Sequence, residues 1–236
     1  MKYLVSIASI YPGSSVDMYV NSLDNLKESV DELISIEFPE YISEKYFLDK
    51  TLNCIPLKVQ KEPRYPGNLF RFAYFPMGIK PKDTCIFTDT HDVFFQNPIK
   101  IKDTTKIYVG TEHIKWKDTE FWKPILEKYN ITSIMDKPVY NMGAWVMPFG
   151  KAYELMSFIQ KHQAMFDYAN WSDQILYNLW LLDQDFEIDD TLIANFYNGF
   201  NSGKVIIKDK RVVNQSGKEY SIIHFNGNTK KLYEHL

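Results

Sequence analysis

A chain of 236 residues that is 45% hydrophobic and 16% aromatic can bury a sizeable core, and its length fits one domain. Its 27 basic and 30 acidic residues leave a net charge of −3, which gives no support to duplex nucleic-acid binding, where a basic excess is the rule. The two cysteines, Cys54 and Cys85, cannot make a zinc-finger ligand set; Cys85 lies in an apolar run, so a buried free thiol is expected rather than a disulfide.

Met1 to Ile10 is apolar with one lysine, but Tyr11-Pro12-Gly13-Ser14 reads as a turn and not as a cleavage site. Tyr3–Ile10 is therefore expected to be the first core strand. No stretch approaches the ~20 apolar residues of a membrane span, so no span is expected and a reducing, cytoplasmic setting is the default. Val16, Tyr19, Val20, Leu23 and Leu26 recur at helical spacing, with Ser14 or Ser15 as N-cap. Leu33–Phe38 reads as a strand, Tyr41–Leu48 as a helix, and Leu57–Val59 as a short strand. Pro63 to Gly67 reads as a loop, and Leu69–Pro76 as a short helix carrying Arg71. Thr84–Thr88 is a strand that ends at an acidic cluster. Ile107–Val109 and Ala144–Met147 are two more strands. Lys151–Gln160 and Asp173–Leu182 are helices, and Val205–Lys208 and Ser221–Phe225 close the series. Strands alternating with helices predict an α/β, Rossmann-like sheet with a parallel majority, flanked by helices, in one domain over residues 1–236.

In open α/β sheets, ligands collect at the carboxyl ends of strands. Asp89 and Asp92 stand at such an end and offer hard oxygen ligands. The bland reading of Asp-x-x-Asp after a strand is a turn or a helix cap. Far downstream, His224 follows Ile222-Ile223 and can supply a nitrogen ligand, or can be a core histidine with a satisfied hydrogen bond. Carboxylates with an imidazole suit Mn²⁺ or Mg²⁺ better than a thiolate-loving metal. His91, between the acids, is the weaker ligand candidate, because adjacent strand residues diverge. A glycine turn at Gly227 lets backbone amides approach phosphate, and Lys230 supplies charge. Arg71 can point toward the same strand mouth. Asn141-Met142-Gly143 reads either as a turn, with Gly143 in a conformation other residues avoid, or as a close approach to a sugar. Asp173-Gln174 opens a helix, where an aspartate serves as first-turn charge.

The ordered set Phe70-Arg71-Phe72-Ala73, Phe87 to Val93, Asn141-Met142-Gly143, Asp173-Gln174 and His224 to Lys230 resembles the GT-A glycosyltransferases. Two retaining groups are similar over roughly Tyr3 to Tyr233. In the glycogenin-like group, an arginine-bearing helix precedes the Asp-x-Asp strand, and a His-Phe/Tyr-x-Gly-x-x-Lys segment ends the domain, matched by His224, Phe225, Gly227 and Lys230. In the glycosyltransferase domains of collagen lysyl hydroxylases and procollagen galactosyltransferases, Phe-Thr-Asp-x-x-Asp-Val matches Phe87 through Val93. There an Ala-Glu is echoed by Thr111-Glu112, and His-x-Asn-Gly-x-x-Lys by His224, Asn226, Gly227 and Lys230. His91 stands where the glycogenin-like group has its second aspartate, so the second carboxylate ligand falls on Asp92. Lys231-Leu232 replaces the Pro-Trp that often follows the last lysine.

The resemblance implies a GT-A fold and transfer of a sugar from a nucleotide-sugar donor, UDP-glucose or UDP-galactose, to a hydroxyl acceptor, a glycan or a protein, with retention of configuration. It implies Mn²⁺ or Mg²⁺ held by Asp89, Asp92 and His224. Ser6 and Ala8, on the strand bordering base and ribose, would bind the donor, as would Arg71, Asn141, Gly143, Gly227 and Lys230. Asp173 and Gln174 would face the sugar. Trp116 and Trp122 are read either as an acceptor platform or as core. A metal-dependent phosphoesterase is the first alternative, since Asp89-Thr90-His91 is similar to its Asp-x-His start, but the chain has no Asn-His pair. A non-catalytic nucleotide-sugar or glycan-binding protein is the second. A nucleic-acid base as acceptor is disfavoured by the acidic balance.

Overall fold

The computed structural model describes residues 1–8, 17–37, 54–58, 78–166, 172–196 and 204–236. In chain order these form β1 (Lys2–Ala8), α1 (Asp17–Ser22), β2 (Glu32–Glu37), β3 (Cys54–Lys58), β4 (Thr84–Asp89), β5 (Val93–Phe95) and β6 (Ile107–Lys115). They continue as α2 (Trp122–Lys128), β7 (Pro138–Pro148), α3 (Phe149–His162), α4 (Ser172–Leu181), β8 (Phe186–Glu187), β9 (Ile193–Phe196), β10 (Val205–Lys208), β11 (Arg211–Asn214) and β12 (Ile222–Phe225). Short 3₁₀ segments extend α1 over Leu23–Leu26 and follow β12 over Gly227–His235.

The architecture is mixed α/β. A seven-stranded sheet has the order β3-β2-β1-β4-β7-β6-β8. It is parallel except at β7, which runs antiparallel to both β4 and β6. A separate three-stranded sheet has the order β5-β12-β9, with β12 antiparallel to β5 and parallel to β9; β10 and β11 form a hairpin.

The central strands are apolar on both faces because both faces are covered, as buried parallel strands require. Side chains alternate, so Tyr3, Val5, Cys85, Phe87, Trp145 and Met147 point to one face. There they pack on Leu155 and Ile159 of α3 and on Ile175, Leu176 and Tyr177 of α4. Phe87 stacks on Trp145 with ring centroids 3.9 Å apart. Leu4, Ile86, Ala144 and Val146 point to the other face, against Tyr19, Val20, Leu23 and Leu26 and against Phe95, Ile193 and Ile222 of the small sheet. Each Val, Leu, Ile or Phe among them contributes roughly 1.5–3 kcal/mol on burial.

The predicted strands and helices over described residues are present, several of them longer than expected. β6 runs to Lys115, and β7 begins at Pro138. Five short elements were not anticipated: β5, α2, β8, β9 and β11. Asn141-Met142-Gly143 is not a turn before a strand; it lies inside β7. Gly143 is absent from the positive-φ residues, so the expectation of an unusual backbone there is overturned. Trp116 and Trp122 are no surface platform: both are buried, edge to face at 5.4 Å. Cys85 is a buried free thiol, and desolvation pushes its pKa far up. The last two residues of the predicted Tyr3–Ile10 strand, the proposed caps Ser14 and Ser15, the Tyr41–Leu48 helix, the Pro63–Gly67 loop and the Leu69–Pro76 helix with Arg71 lie outside the described residues. Among the described residues, no helix is long and apolar enough to cross a membrane.

Candidate functional site

The site forms where the two sheets meet. β4 of the large sheet ends at Asp89, and β5 of the small sheet begins at Val93. The acidic cluster is therefore the corner between them. The main-chain register then delivers the histidine. His224 pairs opposite Val93 and beside Asn195, and the Phe225 N–H donates to the Asp92 carbonyl at 2.7 Å. As a result, ligand atoms of Asp89, Asp92 and His224 all lie within 4.8 Å of one another, a cluster that could hold a metal ion. His224 Nε2 is 3.6 Å from Asp92 Oδ1. Asp92 and His224 are buried, while Asp89 is half-buried. His91 falls outside this triad; its Nε2 lies 3.4 Å from Asp92 Oδ2.

The orientation of the imidazole is fixed from behind. His224 Nδ1 is 2.9 Å from Asn195 Oδ1. A carbonyl oxygen only accepts, so Nδ1 carries the hydrogen and donates it. Nε2 is thereby turned toward the two carboxylates. This is the arrangement expected of a metal-ligating histidine, whose second nitrogen is held by an outer partner. Two glycines make room. A Cβ on Gly143 would overlap the His224 ring, and a Cβ on Gly110 would overlap Asn195. Burial pushes the His224 pKa down, but Asp92, Asp89 and Glu112 outweigh it and hold it above the usual histidine value. Two carboxylates and an oriented imidazole make a donor set that fits a hard or borderline divalent cation.

Beside the triad lies a cluster of buried amides. β6 and β7 lose register where they pass the site, with shifts between Val109 and Gly110 and between Thr111 and Lys115. The second irregularity carries His113 in a left-handed backbone, φ 57°. Such bulges re-aim side chains and are common next to active sites. Side chains take up main-chain groups along this stretch of β7. Gly143 N–H donates to Asn141 Oδ1 at 2.6 Å, and Met142 N–H to Gln174 Oε1 at 3.1 Å. Asn178 accepts from Tyr140 N–H at 3.0 Å and donates to the Tyr140 and Gln174 carbonyls, both at 2.8 Å. At the centre, Glu112 Oε1 accepts from Asn141 Nδ2, from Asn226 Nδ2 at 3.0 Å and from Gln174 Nε2 at 3.4 Å. Burial raises the Glu112 pKa against the pull of these bonds and of His224.

The structure thus brings together Asp89, Asp92, His224, Asn141, Gly143 and Gln174, with Asp173 buried next to Gln174 in the first turn of α4. Gln174 is engaged at both ends of its amide. Ser6 pairs with Thr88, the residue before Asp89; it is buried, with its hydroxyl bonded to Tyr19, whose hydroxyl lies 3.0 Å from Thr88 Oγ1. Ala8 ends β1, paired with Glu37. Gly227 and Lys230 lie in the 3₁₀ segment that follows β12, and their side-chain surroundings are outside the described set. Sequence reasoning missed Asn195, since β9 carried no strand signal, and it gave Glu112 no role in the site. No protein-family model matches this chain, and no curated protein does.

Proposed function

We propose that this protein is a metal-dependent glycosyltransferase of GT-A fold that moves a sugar from a UDP-sugar to a hydroxyl acceptor. The observation that carries the reading is the convergence of Asp89, Asp92 and His224 from two sheets, with Asn195 orienting the imidazole. In this reading the three side chains hold Mn²⁺ or Mg²⁺. Such a cation, when bound, neutralises the charge of a diphosphate leaving group. Lys230, Arg71 and the Gly227 amide add positive charge and N–H donors for the same phosphates. Ala8 and the end of β1 border the base and ribose; Ser6, its hydroxyl committed to Tyr19 and its main chain paired with β2 and β4, supports that border as part of the strand. Asn141, Gly143, Asp173 and Gln174 face the donor sugar. Configuration at the anomeric carbon is retained, with Asp173 the candidate nucleophile if a covalent intermediate forms.

The test is UDP release from a panel of UDP-sugars with Mn²⁺ and simple hydroxyl acceptors. Chelation should abolish turnover, and added Mn²⁺ should restore it. Asp89→Asn should lower the rate by orders of magnitude with little loss of fold, because a half-buried acid at a strand end contributes little to the core. Undiminished turnover after thorough chelation would sink the metal-assisted mechanism.

A further inference from the structure

We propose that Glu112 is a positioning residue that assembles the sugar side of this site, as the shared acceptor for Asn141, Gln174 and Asn226. The naming of that side as a sugar pocket rests on the function proposed above. The three amides come from β7, from α4 and from the residue after β12, and one carboxyl oxygen of β6 takes all three. The second oxygen of Glu112 is buried and has no hydrogen-bond partner among the described residues. The constraint is chemical. An ionised carboxylate only accepts, so each amide must present its NH₂ to it. That decides which way each amide faces. Asn141 Oδ1 is left to accept from Gly143 N–H, and Gln174 Oε1 to accept from Met142 N–H, both obligate donors. Glu112 therefore sets the path of β7 past His224, against which Gly143 packs. None of its described hydrogen bonds goes to Asp89, Asp92 or His224; it reaches His224 by charge alone and the sugar side through the amides it holds.

Three variants separate acceptor geometry from charge. Glu112→Gln keeps one oxygen at the same reach. Glu112→Asp keeps the charge but is one methylene short. Glu112→Ala removes the acceptor. Each would be compared with wild type for UDP-sugar turnover, Mn²⁺ affinity and the side-chain NH₂ resonances of Asn141, Gln174 and Asn226. Glu112→Gln should hold kcat within about threefold, the scale of one altered hydrogen bond. Glu112→Asp and Glu112→Ala should lower kcat on the order of 10²-fold, as expected when reacting groups are misplaced by ~1 Å. The three NH₂ pairs should keep their shifts in Glu112→Gln and move together in Glu112→Asp. If Glu112→Asp kept activity while Glu112→Gln lost it, the charge and not the acceptor geometry would matter, and the proposal would be overturned. Unmoved amide resonances in Glu112→Asp would overturn it too. If the wild-type protein transfers no sugar, the functional reading fails, while the resonances still decide the role of Glu112.

Discussion

At the scale of single residues, the site depends on side chains that would never touch a ligand. Asn195 holds the His224 Nδ1 hydrogen, so that Nε2 faces Asp89 and Asp92. Removing such an outer partner costs metal affinity by about 10–100-fold. Asn195→Ala should show that loss in a Mn²⁺ titration while its circular dichroism stays native. Gly143→Ala places a methyl into the imidazole. Overpacking of this kind costs about 1–3 kcal/mol, so its denaturant midpoint should fall and its Mn²⁺ affinity with it. Glu112 predicts a pH effect. Burial raises its folded pKa above the ordinary 4.5, so the folded state binds its proton more tightly than the unfolded state. That contribution to stability is fully present below pH 4.5 and is lost as pH rises through the folded pKa. Glu112→Gln cannot lose a proton. Denaturation curves should therefore show the variant gaining on wild type as pH rises from 4 toward neutrality.

At the scale of elements, the small sheet β5-β12-β9 is what completes the site. Its register sets His224 beside Asn195 and opposite Val93, next to Asp92. Without β9 the imidazole would lose its Asn195 partner. The tie between α4 and β7 matters equally. Asn178 bonds both main-chain groups of Tyr140 and the Gln174 carbonyl from a buried position. Leaving such groups unsatisfied costs ~1–3 kcal/mol. Asn178→Ala should lower unfolding free energy by about that amount in urea, and the loss should reach Mn²⁺ binding only weakly.

The sequence made the triad legible because Asp89 closes an apolar strand, Asp92 follows it three residues on in the same acidic cluster, and His224 comes straight after two isoleucines. Asp89 follows Thr84–Thr88, and His224 follows Ile222-Ile223. The strands of the large sheet were legible for the same reason. What stayed hidden depends on long-range packing. Ile193–Phe196 is four residues, all buried, with no alternation to announce a strand. β6 runs on through Thr111–Lys115 past a bulge, where a polar stretch gives no strand period. Gly143 was read as a backbone device; its need for no side chain comes from a ring 81 positions away in the chain. Trp116 and Trp122 carried no pattern that told surface from core.

At the scale of the whole molecule, two sheets that share an apolar layer meet at one acidic corner, where Asp89, Asp92 and His224 converge. β12 lies between β5 and β9, so Ser221 onward is part of the fold as well as of the site. Cutting the chain there would remove a central strand as well as a ligand, and point variants are the cleaner probe. The central claim is that this corner binds a nucleoside diphosphate through a divalent cation. The most direct measurement is calorimetric titration of UDP into the protein with and without Mn²⁺, for wild type and for Asp92→Asn. The account predicts binding to wild type that appears only with Mn²⁺ and is lost in the variant. UDP binding of equal strength without metal, or no binding to wild type at saturating Mn²⁺, would contradict it.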